Sequence, residues 1–408
     1  MKILKASWLL CLDNNSTIIE NGAIVYDNKI VDVGQVAHIK KKYPDITIED
    51  CGENTVLMPG LINSHVHLEF SANRTTLKYG NFMAWLHSVM SHRDTLIKRA
   101  NTTLISARLT EMLHSGTTTI GAISSKGLDM EACLKSPINT VYYTEVIGSD
   151  IGALDTSLTD FKARINRAKC NQSPSFIPAI AIHSPYSTHP SLVKLVLNIA
   201  REENLSVTAH FMESEEESLW LHNDEGAFLT FFNDFLGQDK AATKPLDFLH
   251  QFNNIKHLSF THCVAASPKE LGTIRELGAT INHCVTSNRI LNNTRLDLTK
   301  LIDIDYSIGT DGLSSNNSLS MFDELRNALM MHWSVNINTL AKELLIAATR
   351  NGARALGVEK GTLTQGKDAD MIVCTLPDSI ENAEELYTHI ILHTKRATQV
   401  IINGVKQV

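Results

Sequence analysis

Residues 58–70 read MPGLINSHVHLEF. An apolar run closes on two histidines, His65 and His67, one residue apart. Side chains on a strand alternate between faces, so positions i and i+2 point the same way. Two imidazoles on one side of a strand end can hold one divalent metal. An HxH pair also arises by chance among 17 histidines, so the runs downstream decide its meaning. They are TTTIGAIS, TVYYTEVIG, FIPAIAIHSP, LSVTAHF, HLSFTHCV, ATINHCV and YSIGTDG, each followed by a polar or helix-starting stretch. Near-continuous apolar runs interleaved with helices predict parallel strands covered on both faces. Eight of them predict an α/β fold with a closed (β/α)8 TIM barrel.

Working outward, both chain ends read as β structure. GAIVYDNKIVDVG has two apolar runs joined by Asp27 and Asn28, a hairpin signal. DADMIVCTL is a buried-strand run, and ATQVIINGVKQV carries an Asn403–Gly404 turn between β-rich arms. Residues 1–57 and 356–408 therefore predict a small β-sandwich domain made from both ends, around a barrel of 58–355. The 408 residues suffice for both. A net charge of -7 gives no electrostatic reason to bind nucleic acid or an anionic membrane. No segment reaches the ~18 uninterrupted apolar residues of a membrane span. MKILKASWLLCLDNNS reads as a first strand, with a signal peptide as the alternative. Seven scattered cysteines, odd in number and without a CxxC, suit a reducing cytoplasm.

Barrel enzymes place their chemistry at the C-terminal ends of the strands. His65 and His67 end run one, His183 run four, His210 run five, His262 run six and Asp311 run eight. Six metal- or proton-competent residues at the same end of separate runs are not a random scatter. Neutral imidazole and carboxylate suit zinc, and ferrous iron accepts the same donors. His65, His67, His210 and Asp311 supply them. A metal of this kind brings the pKa of water to about 7, which allows attack on an electrophilic sp² carbon. Glu213, three residues after His210, reaches the ligand side if a helical turn follows the strand, and there it can move a proton. Its neighbours Glu215, Glu216 and Glu217 read as a solvated acidic helix start. His262 orients a water or shuttles a proton, against the reading of a buried, satisfied histidine. His183 contacts substrate or holds its own loop, and His283 reads as structural. Ser318 or Ser320 caps the helix after Asp311, while Ser315 faces the pocket. Phe228, Phe231, Phe232 and Phe235 recur at helical spacing in EGAFLTFFNDFLG. They mark a helix docked on the barrel rim, with a lid as the sharper alternative.

The start PGLINSHVHLEF, the HxxE of His210–Glu213, THC at His262, GTDGLSSNNSLSMFDELR and GTLTQGKDADMIV together resemble the amidohydrolase superfamily over essentially the whole chain. Within it the chain resembles the adenosine- and chlorohydrolase-like deaminases, and more closely the aminodeoxyfutalosine deaminases of menaquinone (futalosine-route) biosynthesis. The resemblance implies one divalent metal on His65, His67, His210 and Asp311, with Glu213, His262 and Asp311 catalytic. Two-metal relatives carry a lysine at the end of strand four, where this chain has His183. Substrate contacts carry over to His183, Glu213 and Ser315. The ribose-binding glutamate that follows the Trp-Leu of related deaminases is absent, since Trp85-Leu86 is followed by Asp94 at that place; Glu69 substitutes for it. Val285 stands where the strand-seven motif has proline. The implied reaction is hydrolytic deamination of an adenine nucleoside, 6-aminodeoxyfutalosine above others, in the cytoplasm, with a homodimer as the assembly its relatives suggest. S-adenosylhomocysteine, methylthioadenosine or another purine as substrate stays open, as does a non-catalytic barrel scaffold.

Overall fold

The computed structural model describes residues 1–72 and 75–408. The N-terminal strands are β1 (Lys2–Leu10), β2 (Ile18–Tyr26), β3 (Ile30–Gln35), β4 (Ile48–Asp50) and β5 (Thr55–Pro59). Eight strands follow: β6 (Leu61–Val66), β7 (Thr117–Ser124), β8 (Asn139–Val146), β9 (Phe176–Ile182), β10 (Val207–Phe211), β11 (Leu258–His262), β12 (Thr280–His283) and β13 (Tyr306–Ile308). The chain ends with β14 (Met371–Thr375), β15 (Gln399–Ile402) and β16 (Val405–Lys406).

Strands β6 to β13 pair in sequence order, every neighbouring pair parallel. The ring closes between its first and last members. Ser64 Oγ donates to Ile308 O at 2.9 Å, Thr310 N to Asn63 Oδ1 at 3.1 Å, and Asp311 N to His65 O at 3.0 Å. Strands β6, β7, β8, β10, β11 and β12 are buried at every position, as their near-continuous apolar sequences require. This is the (β/α)8 barrel that the runs imply, and helices such as Pro190–Glu203 bury one face against it.

The two chain ends form one eight-stranded sheet. Strand β14 runs antiparallel to β5 from Met371↔Pro59 to Thr375↔Thr55, and β15 and β16 extend that side. The sheet forks at β1, which pairs with β2, β4 and β5. The first apolar run is therefore split: Thr55–Pro59 lies in the small sheet, and the chain enters the barrel after Gly60. The Asn403–Gly404 turn has φ of 51° and 74°, the paired positive values of a type I′ hairpin. Among the described residues no helix is long and apolar enough to cross a membrane.

The phenylalanine segment forms the helix Ala227–Leu236. Phe232 stacks on Trp220 at 5.3 Å, and Phe228 lies 4.7 Å from the Tyr186 ring and 6.1 Å from that of Phe82. It is a docked rim helix, with only Phe235 of the four strongly exposed.

Candidate active site

The short β6 carries His65 at its end, and His67 follows at the start of a 3-10 turn. His210 comes from β10, two strands before β12. Their Nε2 atoms converge: His65 to His67 is 3.1 Å and His67 to His210 is 3.2 Å. Asp311 Oδ1 lies 3.6 Å from His67 Nε2 and 3.9 Å from His65 Nε2. Zinc–imidazole bonds are ~2.0–2.1 Å long, so two nitrogens this far apart subtend about 100° at a shared ion. That angle is ordinary for tetrahedral or five-coordinate sites, and the donor set suits a divalent cation. All four side chains are buried.

Other residues fix the donors' directions. Asp311 sits in left-handed backbone, φ 59°, just past β13. Its Oδ2 accepts the hydroxyls of Ser287 and Ser315, each at 2.8 Å, and its Oδ1 accepts Gly312 N at 2.8 Å. The carboxylate is thus aimed at the histidines; burial works to raise its pKa, but the neighbouring His67, His262 and His65 rings and the Ser315 hydroxyl hold it well below the usual range. His210 Nδ1 donates to the carbonyl of His183 at 2.7 Å, and His65 Nδ1 meets Thr261 Oγ1 at 3.2 Å. These contacts leave Nε2 as the ligand atom on both rings. Burial pushes both imidazoles well below their usual pKa, towards the neutral form a metal requires.

Beside this centre stand Glu213 and His262, with Glu213 Oε1 3.4 Å from His262 Nε2. Glu213 is not on a helical turn. Met212 takes φ 49°, and the helix Glu215–Asn223 starts only after Ser214, so a sharp strand-to-helix corner presents Glu213. The corner is locked by Glu217, whose carboxylate accepts Met212 N at 3.1 Å and Glu213 N at 2.8 Å. Glu217 is consequently fully buried, unlike its neighbour Glu215, and is not part of a solvated helix face. Burial, reinforced by the charge of Asp311, raises Glu213 well above the usual carboxyl range. His262 Nδ1 donates to Asn288 Oδ1 at 2.9 Å, which puts the free lone pair on Nε2. Burial lowers the pKa of His262, so the ring is a neutral acceptor.

The remaining residues divide. His183 is half-buried, its Nδ1 2.5 Å from Ser187 Oγ, and burial lowers its pKa to about 4. Its ring centre is 5.2 Å from that of His210. Ser315 donates to Asp311. Glu69 is buried. Its carboxylate accepts the backbone N–H of Ser125 at 2.9 Å, Lys126 at 3.0 Å and Leu128 at 2.9 Å, clamping the loop after β7. Trp85 Nε1 donates to Ser314 O at 2.9 Å, and Asp94 is exposed on the outer face of its helix. His283 pairs with His332 at 2.9 Å in a buried contact of its own. Ser287, Asn288, Glu217 and Glu145 escaped sequence reasoning. The first two follow β12 in CVTSN, and their only signal was polar residues directly after a strand end.

The amidohydrolase family pattern matches residues 56–406. The chain belongs to the amidohydrolase family. Membership brings metal dependence, and His65, His67 and Asp311 bring ligand-type atoms within 4.8 Å of one another, as do His65, His210 and His262. An aminodeoxyfutalosine deaminase of Nitratiruptor is 43% identical over 408 residues, covering 100% of both chains. An adenosine deaminase of Helicobacter pylori is 33% identical, covering 99% of this chain and 98% of its own. The crystal structure of Helicobacter pylori aminofutalosine deaminase with methylthio-coformycin superposes with a TM-score of 0.95 at 31% identity, covering 100% of both chains.

Proposed function

We propose that this amidohydrolase removes ammonia hydrolytically from the adenine ring of aminodeoxyfutalosine, the deamination step of a futalosine route to menaquinone. The observation that carries the reading is that His67 Nε2 lies 3.1 Å from His65 Nε2 and 3.2 Å from His210 Nε2, beside a buried Glu213 that faces His262. The 43% identity along the full chain supports the substrate.

His65, His67, His210 and Asp311 would hold one divalent cation, zinc or ferrous iron. Such a cation supplies Lewis acidity and a water made nucleophilic near neutral pH. Glu213 donates its proton to N1 of the ring, which makes C6 electrophilic. His262 Nε2 takes a proton from the water that adds to C6, and Asn288 stabilises the imidazolium through Nδ1. His262 then returns its proton to the exocyclic nitrogen, and ammonia leaves. The C6 hydroxyl proton passes to Glu213, restoring the acid, while N1 keeps its hydrogen in the lactam product. Proton transfers by positioned groups contribute ~10²–10⁴-fold each. His183, at the edge of the centre, contacts the substrate. Ser315 and Glu69 act at one remove, the first by aiming Asp311 and the second by holding the loop after β7.

Side-by-side ammonia release from aminodeoxyfutalosine, adenosine and S-adenosylhomocysteine tests the substrate. The first should dominate kcat/KM, and dominance by either of the others rejects the pathway. Adenosine is the second reading to weigh, because the relative at 33% identity carries that activity in its name. Glu213→Gln should nearly abolish turnover with the metal still bound. Near-native turnover in that variant removes Glu213 from the chemistry.

A further inference from the structure

Strand β8 ends in Glu145, a buried carboxylate in the otherwise uncharged stretch NTVYYTEV. Its Oε2 accepts the Ser125 hydroxyl. Its Oε1 is buried without a hydrogen-bond partner among the described residues, 4.0 Å from His210 Nδ1. Glu145, His183 and His210 bring ligand-type atoms within 4.8 Å of one another. Asp129 Oδ2, in the loop after β7, is likewise buried without a partner among the described residues, but it does not belong to the cluster of ligand-type atoms around His210. Glu69, Glu217 and Glu324 each have N–H or O–H donors on both oxygens.

An unpaired carboxylate in the interior is costly unless something compensates its charge. The tautomer of His210 is already set, because its Nδ1 donates to the His183 carbonyl at 2.7 Å. Glu145 therefore contributes charge rather than tautomer selection. A divalent cation held by three neutral imidazoles and one carboxylate leaves a single uncompensated positive charge in a buried site. A carboxylate directly behind the His210 ring cancels it.

We propose that Glu145 is a positioning residue of the metal centre, its unpaired Oε1 supplying the negative charge behind His210 that holds a divalent cation in the His65–His67–His210–Asp311 site. The inference rests on His210 being a metal ligand. The competing account is a carboxyl group that only bonds Ser125, and glutamine would preserve that bond.

The experiment starts from zinc-loaded native protein, Glu145→Gln, Ser125→Ala and His210→Asn. Competition with a fluorescent chelator reads zinc affinity, and thermal unfolding reads the stability of each stripped protein. Glu145→Gln should weaken zinc binding by roughly 10–100-fold, the usual effect of losing an outer partner of a metal ligand. The melting temperature of its stripped form should stay level, since glutamine keeps the acceptor for the Ser125 hydroxyl and the volume of the side chain. Ser125→Ala keeps the charge and should hold zinc within about threefold of native. Native affinity in Glu145→Gln overturns the proposal. So does a loss of affinity that tracks a lower melting temperature of the stripped protein, or an equal loss in Ser125→Ala. His210→Asn separates the premise from the inference. If it binds zinc as native does, the ligand assignment fails; if it loses zinc while Glu145→Gln does not, only the role of Glu145 fails.

Discussion

Glu69→Gln decides between two roles for the carboxylate that closes the HVHLE motif. In the structure both oxygens accept backbone donors: Ser125 N and Lys126 N reach Oε2 at 2.9 and 3.0 Å, while Leu128 N and Lys126 N reach Oε1 at 2.9 and 3.0 Å. Ser124 Oγ adds a weaker contact at 3.3 Å. A glutamine keeps one acceptor oxygen and turns an NH2 towards N–H groups, so about two of these bonds are lost. Hydrogen bonds to a charged group contribute roughly 1.5–3 kcal/mol each, giving about 3–6 kcal/mol before relaxation. Lys126 is exposed, so water can recover part of this, and roughly 2–4 kcal/mol should remain. Unfolding entropy scales with chain length, so for a chain of this size each kcal/mol moves Tm by roughly 1–2 °C. Metal-saturated Glu69→Gln should therefore melt about 3–6 °C below native. Hydrogen exchange at the amides of Ser125, Lys126 and Leu128 should accelerate, because Glu69 is their recorded partner. KM for the nucleoside should stay within about threefold, since the carboxylate offers substrate no free lone pair in this arrangement. A native Tm with KM raised tenfold or more would refute the clamp and restore Glu69 as a ribose ligand.

Ser287→Ala and Ser315→Ala each remove a hydroxyl 2.8 Å from Asp311 Oδ2 and should weaken metal binding by roughly tenfold with KM little changed, as read by chelator competition and steady-state kinetics. A raised KM with native metal affinity in Ser315→Ala would instead make Ser315 a substrate contact. Burial, with the charge of Glu69 beside it, pushes Asp129 up to about 7, so between about pH 4 and pH 7 the folded protein holds a proton that the unfolded chain releases. Stability from this group is therefore complete at low pH and is lost as pH rises through that window. Urea midpoints across pH 5–8 should fall less steeply in Asp129→Asn than in native protein, and parallel curves would contradict the assignment. A Cβ at Gly309 would lie 2.8 Å from His65 Cβ and 3.0 Å from His65 O, so Gly309→Ala should push β13 off β6 and lower metal affinity and Tm together.

What was readable in advance follows from how each residue acquires its role. His65 and His210 owe theirs to position on a strand, and alternation along a buried parallel run can be counted in a sequence; His67 lies one residue past β6, in extended backbone that carries the alternation on. Asp311 was readable because the barrel's chemistry gathers at one end of its strands, even though β13 spans only Tyr306–Ile308. Glu213 was found through its spacing from His210, yet its conformation was not. A positive φ at Met212, a residue type that rarely adopts one, breaks the helical turn that the spacing suggested. Ser287, Asn288 and Glu69 take their roles from partners on other strands or loops. Locally, Ser287 and Asn288 resemble ordinary residues at a helix start, and Glu69 resembles any acid near a metal motif. Glu145 is different, because its signal lies in the local sequence. Within TVYYTEVIG it is the one charge in a run already assigned to a strand buried on both faces. A charge at such a place has to be met by a partner or by an ion. That requirement holds before any coordinates exist, and it points towards the same strand ends as the histidines do.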